Sequence, residues 1–310
     1  MPNDLSLLGE LLPDVSVGTP EFSIATAVLA YATGDAFGVA YEFEPLVKKP
    51  VPKIMLGKSD WPAGGVSDDT LLSLLTISCL DSADADHGAM AFKEKLRVAA
   101  PTLRGLGPTT RHALGIHVEE REVGIIGVTN GGMMRTALLG MGFSGSANAA
   151  RQEWCRALCA ATHDKPDALA AALLMVEIFA SGLELRDWDI DIALEAARKT
   201  VVGVPSEFES QLDTAKEFES PASGVSLNPL ETLLSVMSVV RKSETVWDAY
   251  ENSICLGGDT DTVAALSGAL VALRNPLSFY ELDFIRDVNW QEIPQITAAI
   301  ELLFANRADK

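Results

Sequence analysis

The sequence predicts an all-α protein, and three observations favour this class. Apolar residues recur at the three- and four-residue spacing of helices over long segments of the chain. Alternating stretches rich in Val, Ile and Thr, which are typical of strands, are almost absent. Hydrophobic residues make up 48% of the chain but aromatic residues only 6%, so Ala, Leu, Val and Met must fill most of the core. Small aliphatic side chains suit close packing of helix on helix.

Seven segments carry this periodicity and are predicted as helices: residues 24–33, 70–80, 147–161, 167–183, 190–201, 230–241 and 262–273. Within the fourth segment, residues 168–180 are apolar around most of the helix circumference. A helix of this kind must be surrounded by other helices rather than lie at the surface. We therefore expect a single compact multi-helix domain and not two small bundles, although a length of 310 residues alone would allow two domains.

Proline and glycine indicate where the chain is not helical. Residues 1–20 contain Pro13, Gly18 and Pro20 and are expected to form an N-terminal appendage, followed by the helical domain at residues 21–310. Three loops are expected inside the domain, at residues 44–66, 101–108 and 204–229. The first is long, and long loops in compact domains are often functional. The third mixes Pro, Ser, Gly and acidic residues and is expected to be an exposed connection.

The charge balance limits the expected partners and location. Lys and Arg together number 24, Asp and Glu 43, and the net charge is −19. A polyanion would be repelled, so neither nucleic acid nor an anionic membrane is an expected partner. The first basic residue is Lys48, so the N-terminal region lacks the basic start of a signal peptide, and a cytoplasmic location is expected. The longest uncharged run, residues 136–150, is too short for a typical membrane span.

The cysteines do not indicate a disulfide scaffold or a zinc site. Cys79, Cys155, Cys159 and Cys255 lack CxxC spacing and are expected to be reduced core residues. Cys155, Cys159 and His163 do follow one another at four-residue steps along one predicted helix face, as ligands of a soft metal could. Residues eight positions apart on a straight helix are about 12 Å apart, too far to share one ion, so packing explains the cysteines better.

Two junctions between a loop and a helix carry closely spaced acids. They are Ser67-Asp68-Asp69-Thr70, which follows two glycines, and Gly257-Gly258-Asp259-Thr260-Asp261-Thr262. Either one alone is explained by helix capping and by the preference for acids in the first helical turn. Together they hold four carboxylates, with no Lys or Arg inside either motif to offset their repulsion. Two Mg²⁺ ions would supply that charge, with the hydroxyls of Ser67 and Thr262 completing the oxygen ligands, and Mn²⁺ is a substitute.

Residues 259–263 also match the DxDx[TV] nucleophile motif of haloacid-dehalogenase-type phosphatases. That motif belongs at the end of an apolar strand near the start of an α/β domain. Here it follows two glycines, runs into a predicted helix and leaves too few residues after it for a doubly wound sheet. We therefore reject this interpretation.

A third junction follows the first predicted helix. This helix is expected to end at Gly34, where Asp35 would bond local backbone groups. Glu42 comes next, in an apolar setting between Tyr41 and Phe43. Desolvation there would raise the pKa of the Glu42 carboxyl towards the range of a general acid or base.

The fourth junction is Thr129-Asn130-Gly131-Gly132, in the middle of the chain. Two residues without side chains at a helix start leave backbone N–H groups open to a phosphate. The turn is therefore a candidate pyrophosphate site in an otherwise acidic protein. The same sequence is also explained as an ordinary turn and helix cap, and both interpretations stay open at this point.

Taken together, these motifs resemble the ADP-ribosylglycohydrolase family. The resemblance covers about residues 22–275 and rests on GDAFGVAYE, SDDTLLSL, NGGMMR, ATHDKPDALAAAL and CLGGDTDTVAALSGAL, of which the last is the most specific. It implies a compact all-α fold with a binuclear Mg²⁺ centre at the base of a cleft for ADP-ribose. The implied metal-ligand positions are Ser67, Asp68, Asp69, Asp259, Asp261 and Thr262. Position 67 is Ser where Thr is usual, which keeps the hydroxyl oxygen.

The resemblance also implies roles for other residues. Glu42 takes the position of the acid near the scissile bond, and with Asp68 and Asp261 it forms the expected catalytic set. The segment that lines the ADP-ribose site is matched by Asn130, Gly131, Gly132 and Met134, and a histidine close to that site is matched by His163.

The expected activity is Mg²⁺-dependent release of ADP-ribose from ADP-ribosylated protein side chains. Resemblance to bacterial-type members makes arginine the first expected acceptor. Serine is next, because residues 125–129 lack the acid that some arginine-directed members carry there. Two alternatives are a non-enzymatic protein that binds ADP-ribose and an immunity protein that blocks an ADP-ribosylating toxin with an N-terminal arm, residues 1–19. Intact acids at every metal position argue against the first alternative.

Overall fold

The computed structural model describes residues 5–59, 61–184 and 189–309. This part of the chain contains fourteen α-helices and no β-strand, which confirms the all-α class. The helices are α1 Ser6–Leu11, α2 Pro20–Gly38, α3 Asp68–Ile77, α4 Ala85–Ala99, α5 Pro108–Ala113, α6 Gly131–Thr136, α7 Asn148–Ala160, α8 Pro166–Glu184, α9 Ile190–Thr200, α10 Ser206–Leu212, α11 Pro229–Lys242, α12 Val246–Leu256, α13 Thr260–Arg274 and α14 Ile296–Asp309.

Helices α2 and α13 form the centre of the fold, and both are buried over almost their whole length. Their backbones come into contact at Gly34 and Gly38, which are about one helical turn apart. A Cβ atom added to Gly34 would lie 2.5 Å from the carbonyl oxygen of Ala264. One added to Gly38 would lie 2.4 Å from the Cα atom of Asp261. No side chain fits between the two backbones, so this packing requires glycine at both positions.

The C-terminal end of α2 differs from the sequence prediction, which placed it at Gly34. The helix continues through Gly38 and is followed by a 3₁₀ turn, Val39–Tyr41. Neither Gly34 nor Gly38 has the positive φ of a glycine that terminates a helix. These glycines are needed because α13 lies against them, and a glycine in a helix is not by itself a stop signal.

The other long helices pack around this pair. Helix α8 contacts α7, α9, α11 and α13, and it is buried along most of its length, as its all-round apolar sequence predicts. A buried ion pair between Arg151 of α7 and Glu177 of α8, 2.6 Å long, joins two of these helices. Two apolar stretches, Pro20–Tyr41 and Pro166–Glu184, have the length and composition of membrane spans, but 94% and 72% of their apolar windows are buried inside the fold.

All seven predicted helices are present, and three long helices, α4, α12 and α14, lie outside the predicted segments. Helix α4 shows why the apolar periodicity did not predict these helices. It buries only one narrow stripe among many polar residues, namely Ala85, Gly88, Phe92 and Leu96. The expected loop at residues 204–229 contains helix α10, so that part of the prediction is wrong. Two buried residues one turn apart, Phe208 and Leu212, are enough to dock this short helix on the core.

The described part of the N-terminal segment is packed on the domain. Leu7 and Leu8 of α1 and the following Leu12 are buried in the main core. Glu10 forms an ion pair of 3.0 Å with Arg286, far away in sequence. The boundary between an appendage and the domain at residue 20 stays a prediction.

The backbone contact between α2 and α13 predicts a strong effect of a single methyl group. Gly34→Ala should lower the free energy of unfolding by about 1–3 kcal/mol, because the new Cβ atom must push the two helices apart. Gly9→Ala is the matched control, since a Cβ atom there meets no other atom within 4 Å. Chemical denaturation of the two variants and the parent protein measures the difference. Equal stability of Gly34→Ala and Gly9→Ala would mean that the helices separate without cost.

Candidate functional site

The first acidic junction is held in place by α2. Ser67 is the N-cap of α3, and its hydroxyl accepts a hydrogen bond of 3.0 Å from the Asp69 N–H. The carboxylate of Asp35 accepts bonds of 3.0 Å from the N–H groups of Ser67 and Thr70 and a further bond from the Thr70 hydroxyl. The expected local role of Asp35 is therefore wrong, because its partners lie 32 and 35 residues away. Asp35 fixes the start of α3 against α2.

The second acidic junction depends on two glycines with positive φ. Gly257 has φ 70° and Gly258 has φ 75°, a conformation that other residues adopt only with strain. The turn is bonded on both sides to Val225, whose N–H donates to the Gly257 carbonyl and whose carbonyl accepts from the Asp259 N–H. A Cβ atom at Gly258 would lie 2.0 Å from the Val225 carbonyl oxygen. Glycine is thus required here by both conformation and space.

The two junctions meet, as the resemblance implies. All six predicted ligand positions, Ser67, Asp68, Asp69, Asp259, Asp261 and Thr262, are buried. Oxygen atoms of Glu42, Asp259 and Asp261 lie within 4.8 Å of one another. The charge of Asp261 also acts on Asp68, Asp69 and Asp35. We call Glu42, Asp68, Asp69, Asp259 and Asp261 the acidic cluster.

The carboxyl groups of the acidic cluster have raised pKa values. Loss of hydration is the main cause, and the charge of Asp261 is the second cause for Glu42, whose pKa rises to about 8. The same two causes raise the pKa of the neighbouring Asp35 to about 7. Phe43 contributes little to the desolvation of Glu42, because its side chain is 58% exposed. The cluster therefore favours bound protons or bound cations over five free negative charges.

A lysine outside both motifs lies beside the cluster. The ammonium group of Lys58, in the loop at residues 44–66, donates to the backbone carbonyl of Glu42 and lies 3.5 Å from the carboxylate of Glu44. Its charge lowers the pKa values of Glu42 and Asp261, against the larger effects that raise them. Sequence reasoning missed Lys58, because nothing in the spacing of the motifs indicates that this loop folds back.

The chemistry of the cluster fits a divalent cation. One oxygen of Asp69, Oδ1, is buried and has no hydrogen-bond partner among the described residues. A buried carboxylate oxygen in that position is costly unless a positive charge binds it. The ligand atoms available are carboxylate and hydroxyl oxygens, which Mg²⁺ and Mn²⁺ prefer.

The Asn130 turn lies next to the cluster. The Asn130 side-chain amide donates to Asp259 Oδ2 at 2.5 Å and to the Thr232 hydroxyl at 2.9 Å. The N–H groups of Gly131 and Gly132 have no hydrogen-bond acceptor among the described residues. Packing also favours glycine at position 132, because a Cβ atom there would lie 2.6 Å from the sulfur of Cys159. The turn thus orients a carboxylate of the cluster and leaves two N–H groups for a ligand.

Met134 and His163 are buried rather than exposed to the cleft. The backbone carbonyl of Met134 accepts a bond of 3.1 Å from the hydroxyl of Tyr31. The ring nitrogens of His163 lie 2.9 Å from the Thr129 hydroxyl and 2.8 Å from the Thr162 hydroxyl, and they do not contact the cysteines. Burial first, and then the charge of Arg135, lower the pKa of His163 to about 3. All four cysteines are free thiols.

A cleft of about 340 Å³ opens beside Glu42 and the Asn130 turn. Its walls are Phe43, Ile125, Val128, Thr129, Ser226, Leu227 and Asn228. Phe43 stands at this cleft with a positive φ of 52°, an unusual conformation for an aromatic residue. A larger apolar groove of about 1020 Å³ lies between α3, α4 and α14, and the walls of both cavities are residues outside the predicted site set. The smaller cleft is the candidate binding site because two of its walls, Phe43 and Thr129, are the chain neighbours of Glu42 and Asn130.

Comparisons with known proteins identify the family and the fold. The sequence pattern of the ADP-ribosylglycohydrolase family matches residues 20–307 of the chain. No curated protein sequence matches it. Among the solved structures that match is a chain from an ADP-ribosylglycohydrolase-related protein complex, 21% identical, with a TM-score of 0.66. The match covers 93% of this chain and 98% of that one, and at this identity it shows the fold alone.

The repulsion within the acidic cluster predicts opposite effects of Asp261→Asn with and without a divalent cation. In EDTA the variant should unfold at a higher temperature than the parent, because one buried negative charge is gone. In millimolar Mg²⁺ or Mn²⁺ the parent should gain stability and the variant should not. Asp81→Asn, an exposed acid, is the control and should behave like the parent in both conditions. An equal cation-induced shift in Asp261→Asn and the parent would refute the assignment.

The buried His163 predicts a specific dependence of stability on pH. Between pH 6.5 and about 3 the unfolded chain binds a proton at His163 and the folded protein does not. As the pH is lowered through this window, the free energy of unfolding therefore decreases, by about 1.4 kcal/mol per pH unit for this residue. His163→Gln should show a smaller loss than the parent in urea denaturation at several pH values. Parallel pH profiles of the two proteins would show that folding does not lower the pKa of His163.

Proposed function

The chain belongs to the ADP-ribosylglycohydrolase family, and from this premise we propose that it releases ADP-ribose from modified protein side chains with two bound divalent cations, Mg²⁺ in the first place. One observation carries the proposal. Two acidic helix starts far apart in the sequence, at residues 67–70 and 259–262, are buried together. A fold that needed only helix caps would have no reason to bury these acids against one another.

The residues that would hold the cations are Ser67, Asp68, Asp69, Asp259, Asp261 and Thr262. When bound, the cations would supply positive charge for ribose hydroxyls and for a water molecule. Asp261 would be a ligand of first importance, because its charge affects every other acid of the cluster. Asn130 assists by holding one oxygen of Asp259.

The proposed reaction is hydrolysis at the anomeric carbon of the distal ribose. The C–N or C–O bond to the protein side chain breaks, water supplies the new oxygen, and the leaving side chain takes up a proton. We assign Glu42 to hold or transfer that proton, because its carboxylate lies within 4.8 Å of those of Asp259 and Asp261 and the next residue, Phe43, lines the cleft. Its raised pKa keeps a proton available at neutral pH, and a bound cation would lower that pKa again.

The cleft supports binding of the rest of ADP-ribose. The free N–H groups of Gly131 and Gly132 suit the pyrophosphate oxygens. The exposed ring of Phe43 suits a flat or apolar part of the ligand. Met134 and His163 lie behind the Asn130 turn in the structure, so we assign them support of the turn rather than direct contact.

Arginine remains the first proposed acceptor and serine the second, and a cytoplasmic location is part of the proposal. The immunity alternative has no observation in its favour. An N-terminal arm that blocks a toxin would first have to release Leu7, Leu8 and Leu12 from the core. Such release exposes three leucines to water, at a cost of several kcal/mol.

The direct test is release of ADP-ribose from an ADP-ribosylated protein. We expect release in Mg²⁺ or Mn²⁺ and none in excess EDTA, with arginine-linked and serine-linked substrates assayed in parallel. Full activity in EDTA would refute the proposed cation dependence. No release from either substrate, together with tight ADP-ribose binding, would favour the non-enzymatic alternative.

Glu42→Gln should separate chemistry from binding. The amide has nearly the same shape but cannot transfer a proton, so we expect kcat to fall by about 10²-fold or more with little change in ADP-ribose affinity. Glu44→Gln, two residues further along and exposed, is the matched control and should keep parental activity. If the loss differs between arginine-linked and serine-linked substrates, Glu42 orients the acceptor. Parental turnover on both would make Glu42 a bystander.

A further inference from the structure

Arg135 is a buried cation whose purpose is not evident from the reaction. Its side chain on α6 is 1% exposed, and no ion pair is found for it among the described residues. It lies over the ring of Phe92 at 4.1 Å and donates to the carbonyls of Leu158 and Cys159 at 2.8 and 3.2 Å. The Thr162 hydroxyl lies 2.8 Å from the same nitrogen, Nη2, whose two protons suit the two shortest contacts, to Leu158 and Thr162. Burying a guanidinium without a carboxylate partner is costly, and hydrogen bonds to these neutral acceptors offset part of that cost.

The contacts of Arg135 leave the Thr162 hydroxyl proton for the next hydrogen bond. A guanidinium can only donate, so the Thr162 oxygen accepts from Arg135. The single hydroxyl proton of Thr162 is then free for His163 Nδ1, which lies 2.8 Å away. Because the Thr162 oxygen has two acceptor positions, this contact fits either protonation state of Nδ1, and the other side of the ring decides the tautomer.

The hydrogen bonds on the other side of the ring decide which nitrogen carries the proton, and in a neutral ring Nδ1 then accepts from Thr162. The Thr129 hydroxyl donates to Thr109 Oγ1 at 2.9 Å, and that oxygen also accepts from the Gly127 N–H. The one proton of Thr129 is thereby used. Its oxygen, 2.9 Å from His163 Nε2, must accept, so Nε2 carries the proton.

The ring that these bonds orient lies directly beneath the Asn130 turn. A Cβ atom on Gly131 would be 3.2 Å from Cε1 and Nε2 of His163, and one on Gly132 would be 2.9 Å from its Cβ atom. Asn130, which begins this turn, holds Asp259 of the acidic cluster. A rotated ring would press on the two glycines and move Asn130.

We propose that Arg135 and Thr162 are positioning residues, which hold His163 as the neutral, Nε2-protonated tautomer so that its ring supports the turn from Asn130 to Gly132. In this arrangement His163 transfers no proton in the reaction. It is a fixed support whose orientation is set from Arg135, through Thr162, and is completed by Thr129. The part of the inference that concerns ligand affinity rests on the proposed function.

The charged groups around the ring agree with a neutral His163. Arg135 from α6 disfavours a second positive charge nearby, and burial raises the pKa of the Cys159 thiol of α7 to about 11, so that this thiol stays uncharged. Asp164 and Lys165 follow in the chain, and both are exposed, with side chains beside Gly127.

Nitrogen-15 NMR of the full-length protein tests the tautomer directly. His163→Gln identifies the signals, because His87, His112 and His117 are the other histidines. We expect a protonated Nε2 and an unprotonated Nδ1 that do not change from about pH 8 to about pH 5. A protonated Nδ1, or titration within this range, would overturn the inference, and the variant is needed only to identify the signals.

Thr162→Val and Thr162→Ser form a matched pair for the positioning role. Thr162→Val keeps the shape but removes the hydroxyl, so His163 should show mixed tautomers, and ADP-ribose affinity by calorimetry should fall about tenfold. Thr162→Ser should restore both properties. Parental spectra and affinity in Thr162→Val would overturn the role of Thr162. If the parent protein does not bind ADP-ribose, the proposed function fails, while the NMR signals still decide this inference.

Discussion

The direct contact between the backbones of α2 and α13 is the constraint on which the rest of the structure depends. Because Gly34 and Gly38 carry no side chain, the Cα atom of Asp261 lies against α2. The same close approach puts Asp35 and Glu42, at the C-terminal end of α2 and just after it, beside the start of α13. Asp35 then binds the start of α3 and brings Asp68 and Asp69 to the same place. One contact between helices therefore assembles acids from three segments.

Bringing these acids together lowers the stability of the folded protein, because buried negative charges repel one another. Helix N-termini compensate part of the negative charge through their backbone dipoles and N–H groups. That compensation is incomplete, as the raised pKa values of Glu42 and Asp35 show. The hydrogen bonds of Asp35, Asn130 and the glycine turn orient the acidic segments. One oxygen of Asp69 has no hydrogen-bond partner among the described residues. A site arranged in this way is stabilised by what it binds.

The sequence was sufficient for the fold class and for the acidic cluster. Helical periodicity located the long apolar helices, because their buried faces are wide, and the family resemblance indicated that the two acidic junctions meet. It was not sufficient where a role depends on a distant partner. The hydrogen bonds from Lys58 to Glu42, from Arg135 to Thr162 and from Thr70 to Asp35 span 16, 27 and 35 positions, and no local pattern records those contacts. Likewise, Gly34 looks like a helix end in the sequence, and only the presence of α13 explains it.

The burial of α2 has a consequence for synthesis of the protein. The partner of this helix is separated from it by most of the chain, as the bond between Thr260 and the Gly38 carbonyl, 222 residues apart, shows. A ribosome that adds roughly 5–20 residues per second makes that interval in about 10–40 s. During this time one of the most apolar helices in the chain has no α13 to pack against. Newly made chains therefore expose this apolar helix until α13 is made, and a truncated chain that ends before α13 lacks both the central helix pair and a complete acidic cluster.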